Sequence, residues 1–249
     1  METKIEIFKT KDELSQFFAE MIVERLKVMP KERFCSIALS GGSTPQSIFQ
    51  YLATKHKKNI AWERLLIFWS DERCVAPDDQ ESNYRMTKES LLDQVSIPAT
   101  NIFRIKGDAD PASEAKRYDE AVRQFVPSYN DIPRFDLMML GLGEDGHTAS
   151  IFPGNLHLFK SKELFVVAEH PQTKQKRITS TGVLINNSKT VVFLATGEAK
   201  SAIVSTVIEA KSGSENLPAL LVHPENGELF WLLDEKAASK LINKTDKKT

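Results

Sequence analysis

The most regular feature of the chain is a series of short apolar runs separated by segments with helical periodicity. Six runs are almost continuously apolar, as is typical of strands buried on both faces of a parallel sheet. These predicted strands are residues 34–40, 64–70, 135–141, 162–169, 190–196 and 228–234. In "DELSQFFAEMIVERLKVM", residues 12–29, apolar side chains recur at helical spacing and predict an amphipathic helix. Further helices are predicted at about 45–55, 82–93, 111–126, 198–210 and 235–242.

This alternation of strands and helices predicts an α/β fold with a doubly wound, mainly parallel sheet and helices on both of its faces. A chain of 249 residues could form one large α/β domain or two small ones. Because there is no internal repeat, low-complexity tract or long linker, we predict a single domain over residues 1–249. The polar tail, residues 243–249, is expected to fray.

Composition narrows the class of protein. The formal net charge of −1 provides no global basic field that would recruit nucleic acid or an anionic membrane. No stretch approaches the roughly 20 apolar residues of a membrane span, and the N-terminus lacks the features of a signal peptide. The two cysteines, Cys35 and Cys74, have neither CxxC nor Cys/His metal spacing and cannot form a disulfide framework. We therefore expect a cytoplasmic protein without a bound metal.

Ligands of doubly wound sheets bind outside the carboxyl ends of the strands, so the residues that follow each strand are informative. In "SGGSTP", residues 40–45, Gly41 and Gly42 permit unusual backbone torsions and a close ligand approach. Ser43 or Thr44 is expected to cap the next helix, whose free N–H groups would form an anion site. The same composition also suits a plain turn. The stretch matches neither GxxxxGK[ST] nor GxGxxG, which disfavours nucleotide binding.

A second strand end carries charge: "WSDERCV", residues 69–75, places Asp71, Glu72 and Arg73 directly after an apolar run. The planar fork of Arg73 could bind a phosphate or a carboxylate. The two acids could hold that arginine or contact sugar hydroxyls. An exposed loop with internal salt bridges is the alternative interpretation.

The third strand end, "GLGEDGHTASIFPG", contains a histidine among glycines. The glycines allow a tight exit from the strand and a pliable hinge directly before His147. Histidine titrates near neutrality and can take and return a proton, and Asp145 is close enough to fix the imidazole tautomer or touch the substrate. A lone histidine is more often structural, but this setting makes His147 the candidate base. The other histidines lack such a setting: His56, His157, His170 and His223.

Together these stretches resemble the 6-phosphogluconolactonase family, within the superfamily of glucosamine-6-phosphate isomerases and 6-phosphogluconolactonases. The resemblance extends from about residue 5 to residue 242. In chain order the similar segments are "SGGSTP", "WSDERCV", "SNYR", "FDLMMLGLGEDGHTASIFPG", "KRITST", "FLATGEAKS", "LPALLV" and "FWLLDEKAAS".

The resemblance implies an enzyme that hydrolyses 6-phospho-D-glucono-1,5-lactone to 6-phosphogluconate, the second step of the oxidative pentose phosphate pathway. It implies a fold related to glucosamine-6-phosphate deaminases and ribose-5-phosphate isomerases, a sugar-phosphate lactone as substrate and no cofactor. His147, with Asp145, would be catalytic. The implied substrate-binding residues are Gly41, Gly42, Ser43, Thr44, Asp71, Arg73, Arg177 and Lys200.

The roles of Arg177 and Lys200 depend on the resemblance alone, because arginine and lysine in such segments are usually solvated. Which cation would meet the phosphate and which the carbonyl is left open. The oligomeric state is likewise open between a monomer and a small homo-oligomer.

Other functions fit the sequence less well. A deaminase or isomerase of amino-sugar phosphates typically carries "HIAFNEP" where this chain has "HTASIFP", so Phe152 stands in place of the acid. A non-catalytic sugar-phosphate sensor is an alternative from a different class, but the chain has no spare segment for a DNA-binding or partner module. A serine hydrolase lacks its GxSxG elbow here, and no cluster has the spacing of metal ligands.

Overall fold

The computed structural model describes residues 2–242 of the chain. The strands in this range are β1 (Glu2–Phe8), β2 (Cys35–Leu39), β3 (Leu65–Trp69), β4 (Asp71–Arg73), β5 (Ser128–Tyr129), β6 (Ile132–Pro133), β7 (Leu137–Gly141), β8 (Phe165–Glu169), β9 (Lys176–Ser180), β10 (Thr190–Ala195) and β11 (Glu228–Asp234). The α-helices are α1 (Lys11–Val28), α2 (Ser43–Lys55), α3 (Asn83–Ser90), α4 (Pro111–Phe125), α5 (Leu156–Phe159), α6 (Gly182–Asn187) and α7 (Ser201–Ile208).

The main sheet confirms the predicted doubly wound architecture. Its six strands lie in the order β1-β11-β10-β7-β2-β3, and every neighbouring pair is parallel. From β2 the chain continues to β3 on one side and to β7, β10 and β11 on the other. The strand order therefore reverses between β2 and β7, and the carboxyl ends of these strands flank the crevice where such sheets bind ligands.

One predicted strand belongs elsewhere. The apolar run 162–169 contains β8, which pairs antiparallel with β9 in a separate three-stranded sheet of order β4-β9-β8. Burial explains the error, since only Phe165 and Ala168 of its five residues are fully buried. The edge position of the main sheet is occupied by β1, which is not among the predicted apolar runs. Its apolar residues alternate with Lys4 and Glu6, as in a half-buried edge strand.

The helix predicted at 235–242 is also wrong, because the chain forms successive turns after β11. The carboxylate of Asp234 accepts the Ala237 N–H at 2.7 Å, a local side-chain bond that competes with helix formation. The predicted fraying of 243–249 concerns residues outside the described range, and the single domain stays a prediction. No helix within residues 2–242 has both the length and the apolar character needed to cross a membrane.

Candidate active site

The loop after β2 brings the amino terminus of α2 to the crevice. Gly42, at φ 105°, is the residue that caps the helix, and the Gln46 N–H donates to its carbonyl at 3.1 Å. The prediction that Ser43 or Thr44 caps α2 was therefore wrong, since they occupy its first two positions. Their N–H groups precede the first intrahelical bond and have no acceptor within the helix. A left-handed φ that only glycine adopts easily explains why the cap lies one residue earlier.

Close packing also fixes the neighbouring glycine. A Cβ atom at Gly41 would overlap the side-chain amide of Asn83, so no larger residue could occupy this position without displacing that buried side chain. Asn83 in turn donates from Nδ2 to the Asp71 carbonyl at 2.9 Å. The loops after β2 and β3 are thus joined through one buried amide.

Strands β4 and β9 place two arginines opposite each other. Arg73 and Arg177 are partners in the antiparallel register. Arg73 donates to the Glu81 carbonyl and Arg177 donates to Ser150 Oγ over a long 3.5 Å. Neither forms an ion pair with a carboxylate among the described residues, and the buried Nε of each has no hydrogen-bond partner. Burial and the charge of Arg73 lower the pKa of Arg177, which nevertheless stays cationic at neutral pH.

The two acids of the same strand have different partners. The buried carboxylate of Asp71 accepts from Ser150 Oγ at 2.6 Å and stays at the crevice. Glu72 was expected to hold Arg73 or contact a sugar, but its carboxylate accepts the N–H groups of Asn83 at 2.8 Å and Tyr84 at 2.7 Å. Burial raises the pKa of Glu72 in spite of these bonds. Glu72 therefore anchors the start of α3.

The loop after β7 holds His147 in one orientation. Asp145 Oδ1 lies 2.6 Å from His147 Nδ1 and also accepts the backbone N–H of His147 at 3.1 Å. Burial opposes ionisation of Asp145, but these bonds and the histidine charge lower the pKa of Asp145 below its ordinary value. The ionised carboxylate accepts the Nδ1 proton, which leaves the Nε2 lone pair free to take a proton. A Cβ at Gly143 would overlap both side chains, so the pair requires glycine there.

A cluster of rings supports the imidazole from behind. The ring of Phe152 lies 4.6 Å from that of His147 and 4.9 Å from that of His170, between centroids. The Arg177 guanidinium lies over the Phe152 ring at 5.6 Å. Burial, followed by the charges of Arg177 and His147, lowers the pKa of His170. His170 was predicted to lack a functional setting, since it does not lie among glycines at a strand end; only the packing around Phe152 brings it near His147.

Lys200 enters from the loop after β10. Its N–H donates to the carbonyl of Gly197, a residue at φ 93° whose own N–H is held by Asp234 at 3.0 Å. Thr196 Oγ1 lies 2.8 Å from Thr44 Oγ1, which ties this loop to the start of α2. Lys200 has no ion pair within the described part of the chain.

These loops enclose a cavity of about 200 Å³. Its lining residues are Ser40, Gly41, Gly42, Asp71, Arg73, Asn83, Gly141, Leu142, Gly143, His147, Ala149, Arg177 and Lys200. Asp145 lies behind His147, whereas Ser43 and Thr44 are outside this lining. Asn83 was not among the predicted site residues, although the similar segment "SNYR" contains it.

The charges of the cavity suit a small anion. Three cations, Arg73, Arg177 and Lys200, share it with one carboxylate, Asp71, and one candidate base, His147. Within residues 2–242 no group of histidine, cysteine, aspartate and glutamate side chains is arranged to hold a metal ion. The site therefore combines a proton acceptor with a positive surface, as hydrolysis of a phosphorylated ester would require.

Comparison with known proteins agrees with this class of site. A family model described as glucosamine-6-phosphate isomerases/6-phosphogluconolactonase matches residues 9–231, and the chain belongs to this family. A 6-phosphogluconolactonase of Treponema pallidum (strain Nichols) is 38% identical over 224 residues, which cover 90% of this chain and 92% of the relative.

Similarity to solved structures indicates which kind of enzyme within this family the chain is. A 6-phosphogluconolactonase from Trypanosoma brucei is 31% identical, with a TM-score of 0.83 over 96% of this chain and 99% of that one. The chain is an enzyme of the 6-phosphogluconolactonase group. A monomeric glucosamine-6-phosphate deaminase, 23% identical with a TM-score of 0.79 over 95% of this chain and 99% of its own, shares the fold.

Proposed function

We propose that this enzyme hydrolyses 6-phospho-D-glucono-1,5-lactone to 6-phospho-D-gluconate in the oxidative pentose phosphate pathway. The observation that carries the proposal is the meeting of His147 with Arg73, Arg177 and Lys200 around one cavity. The similarity to 6-phosphogluconolactonases over most of the chain supports the choice of substrate.

The base in this proposal is Nε2 of His147. It takes a proton from water while the water oxygen forms a bond to C1 of the lactone. As the tetrahedral intermediate collapses, the bond between C1 and the ring oxygen breaks and the imidazolium returns its proton to that oxygen. The new carboxylic acid then loses its proton to solvent, so each turnover releases one acid equivalent.

The cations and free N–H groups stabilise negative charge in two places. One is the phosphate, whose binding holds the ring in position and lets remote binding energy serve the chemical step. The other is the carbonyl oxygen of the transition state, where one well-placed donor contributes about 3–4 kcal/mol. A lactone is an activated ester, so the proposal needs neither a covalent nucleophile nor a metal.

Asp145 has a supporting role in the proposal. Its carboxylate keeps the proton on Nδ1 of His147 and stabilises the imidazolium that forms during the reaction, as in other carboxylate–histidine pairs. We further propose a cytoplasmic location, which the unpaired thiols of Cys35 and Cys74 favour.

Phe152 argues against amino-sugar deamination. Deaminases of this fold typically carry an acid at the corresponding position, whereas the Phe152 ring is buried against His147. Incubation with glucosamine 6-phosphate should release no ammonia. Ammonia release, or tight lactone binding without faster hydrolysis, would instead support a deaminase or a sugar-phosphate sensor, respectively.

The deciding experiment is acid release from freshly generated 6-phosphogluconolactone, corrected for spontaneous hydrolysis. His147→Ala should lower kcat by about 10²–10⁴-fold, the usual contribution of a general base. His157→Ala, which removes an exposed histidine on α5, is the matched control and should keep full activity. Near-normal kcat in folded His147→Ala would remove this residue from the mechanism.

A further inference from the structure

A second and larger cavity, of about 870 Å³, lies at the amino ends of the strands of the main sheet, whereas the candidate active site lies at their carboxyl ends. Its lining includes Asp136, just before β7, together with Thr190 and Glu228, the first residues of β10 and β11. The candidate active site instead follows the carboxyl ends of the strands. One five-residue strand, roughly 17 Å long, therefore separates the two cavities.

Four half-buried cations line this second cavity: Arg25, Arg33, Arg134 and Lys189. Two of them share one carboxylate oxygen, because Asp136 Oδ1 accepts from Arg33 at 2.8 Å and from Lys189 at 2.7 Å. That carboxylate is almost completely buried. One carboxylate is therefore the ion-pair partner of both Arg33 and Lys189.

The remaining two arginines have only uncharged partners among the described residues. Arg25 donates to the Asp136 carbonyl and to Thr190 Oγ1, the latter at 2.7 Å. Arg134 donates to the Asn226 carbonyl at 2.6 Å, and its buried Nε has no partner. Within residues 2–242, neither guanidinium therefore forms an ion pair with a carboxylate.

The other acidic residues that line the cavity do not neutralise Arg25 and Arg134. Glu24 pairs with Lys27 at 2.6 Å, and Glu228 pairs with Lys4 at 2.8 Å. Because these two lysines lie outside the lining and pair with Glu24 and Glu228, Asp136 is the carboxylate left to the four cations of the lining, although the whole chain has a net charge of −1. The positive charge is local, as expected of a surface that attracts an anion.

An apolar surface completes the cavity. Met21, Val28, Met29 and Phe230 line it beside the cations. Val28, the last residue of α1, is 82% exposed, which is unusual for a valine. An occupant that covered this side chain would bury apolar area while its charged end met the arginines.

The wall is held rigid before any ligand arrives. The Arg64 guanidinium donates to the carbonyls of Leu26 at 3.0 Å and Pro30 at 2.7 Å. These bonds fix the turn between α1 and β2, which carries Met29 and Arg33. A preformed cavity binds without the cost of ordering its walls, and its volume lies in the range of small-molecule sites.

We propose that this second cavity binds a small organic anion, in which a phosphate, carboxylate or sulfonate group is joined to an aromatic or aliphatic body. The charged group contacts Arg25 and Arg134, and the apolar body covers Met21 and Val28. This inference is independent of the proposed function, because none of these residues belongs to the candidate active site.

The test uses the purified full-length protein and 8-anilinonaphthalene-1-sulfonate, which joins aromatic rings to one sulfonate. Fluorescence titration should show one saturable site per chain. Neutral N-phenyl-1-naphthylamine, which lacks the charge, should bind about tenfold more weakly. Inorganic phosphate, which lacks the apolar body, should displace the dye only at much higher concentration. Equal affinity for the neutral compound would overturn the proposal.

Val28 provides a matched pair of variants. Val28→Glu places a carboxylate among the cations and should weaken dye binding about fivefold or more, as expected for one added like charge near the surface. Val28→Lys changes size and polarity similarly but keeps the sign of the potential, so its affinity should not fall. Because the side chain is exposed, both variants should fold.

Three further results would contradict the proposal. One is the absence of saturable binding, and another is equal weakening in Val28→Glu and Val28→Lys. The third is displacement of the dye by 6-phosphogluconate, which would place the dye in the candidate active site. Light scattering completes the test, since loss of dye binding on dimerisation would mean that a second copy of the chain covers this face.

Discussion

Arg73 and Arg177 lie directly opposite each other on the neighbouring antiparallel strands β4 and β9. Like charges at such positions destabilise a sheet by about 0.2–1 kcal/mol. The described residues provide no carboxylate ion pair to either guanidinium, and each has a buried Nε without a partner. The fold thus holds two positive groups at the edge of the cavity, where a bound phosphate would satisfy both.

Removal of one arginine should weaken substrate binding at little cost to the stability of the empty protein. For Arg177→Gln we expect the free energy of unfolding to change by no more than about 1 kcal/mol, because relief of the like-charge contact offsets the lost ring contact with Phe152. KM should increase at least about tenfold, because a charge-assisted hydrogen bond is lost. Urea unfolding and steady-state kinetics would measure the two effects. Lys176→Gln, at the exposed neighbouring position, is the control and should change neither quantity.

The carboxylate behind His147 should matter for turnover more than for binding. Asp145→Asn leaves a group of the same shape but removes the charge that holds the Nδ1 proton. We expect kcat to fall by about 10²-fold or more while KM changes little. Glu144→Gln, the adjacent exposed acid, should retain wild-type kinetics. Equal kcat values for the two variants would exclude a role for the Asp145–His147 bond.

Asp145 should also give the stability a defined pH dependence. Its pKa is lower in the folded protein than its ordinary value, so the folded state binds this proton less readily than the unfolded chain. The resulting stabilisation is present above the unfolded pKa and is lost as the pH falls through the folded pKa. Between about pH 5 and 3, the unfolding free energy of the wild type should decrease more steeply than that of Asp145→Asn. Parallel urea-unfolding curves would show that no such linkage exists.

The close approach at Gly143 can be tested by one methyl group. In Gly143→Ala the new Cβ would overlap the His147 ring and the Asp145 carboxylate, so the imidazole must move. A displacement of about 1 Å typically lowers kcat by about 10²-fold. Gly154→Ala, in a loop with open space around the new Cβ, has its own strained φ of 88° but should remain active. Steady-state kinetics would compare kcat of the two variants, and unchanged circular dichroism would show that both are folded.

Phe152 should act as a positioning residue, because its ring touches His147 and lies beneath Arg177. Phe152→Leu keeps most of the apolar volume and removes the aromatic face. We expect a fall in kcat of about tenfold with a higher KM, since both neighbours lose a ring contact worth about 1 kcal/mol. Ring-current shifts of the His147 proton resonances should disappear. Phe159 is another buried phenylalanine. The variant Phe159→Leu should lose similar stability but keep wild-type kinetics and the ring-current shifts of His147.

Much of the fold could be predicted from the sequence because buried parallel strands require apolar side chains on both faces. The runs that contain β2, β3, β7, β10 and β11 were all recognised for this reason. β1 was missed because an edge strand needs apolar residues on alternate positions only. β8 was assigned to the wrong sheet because an apolar run does not specify a pairing partner.

By itself, the sequence determined the chemical groups available at the ends of the strands. The glycines, the acids and His147 follow the strands directly, and the fold class places such residues at the ligand-binding edge. The candidate base and most of the cavity wall could therefore be named without coordinates.

Only the tertiary structure decided which of these groups meet. Arg73 lies opposite Arg177, and His170 lies one ring away from His147, because chain segments far apart in the sequence pack together. The same long-range packing creates the second cavity, whose cations come from α1, the turn after it and the approaches to β7 and β10. Local sequence patterns do not indicate such contacts, because the helix or strand propensity of a residue does not depend on which distant segment its side chain contacts.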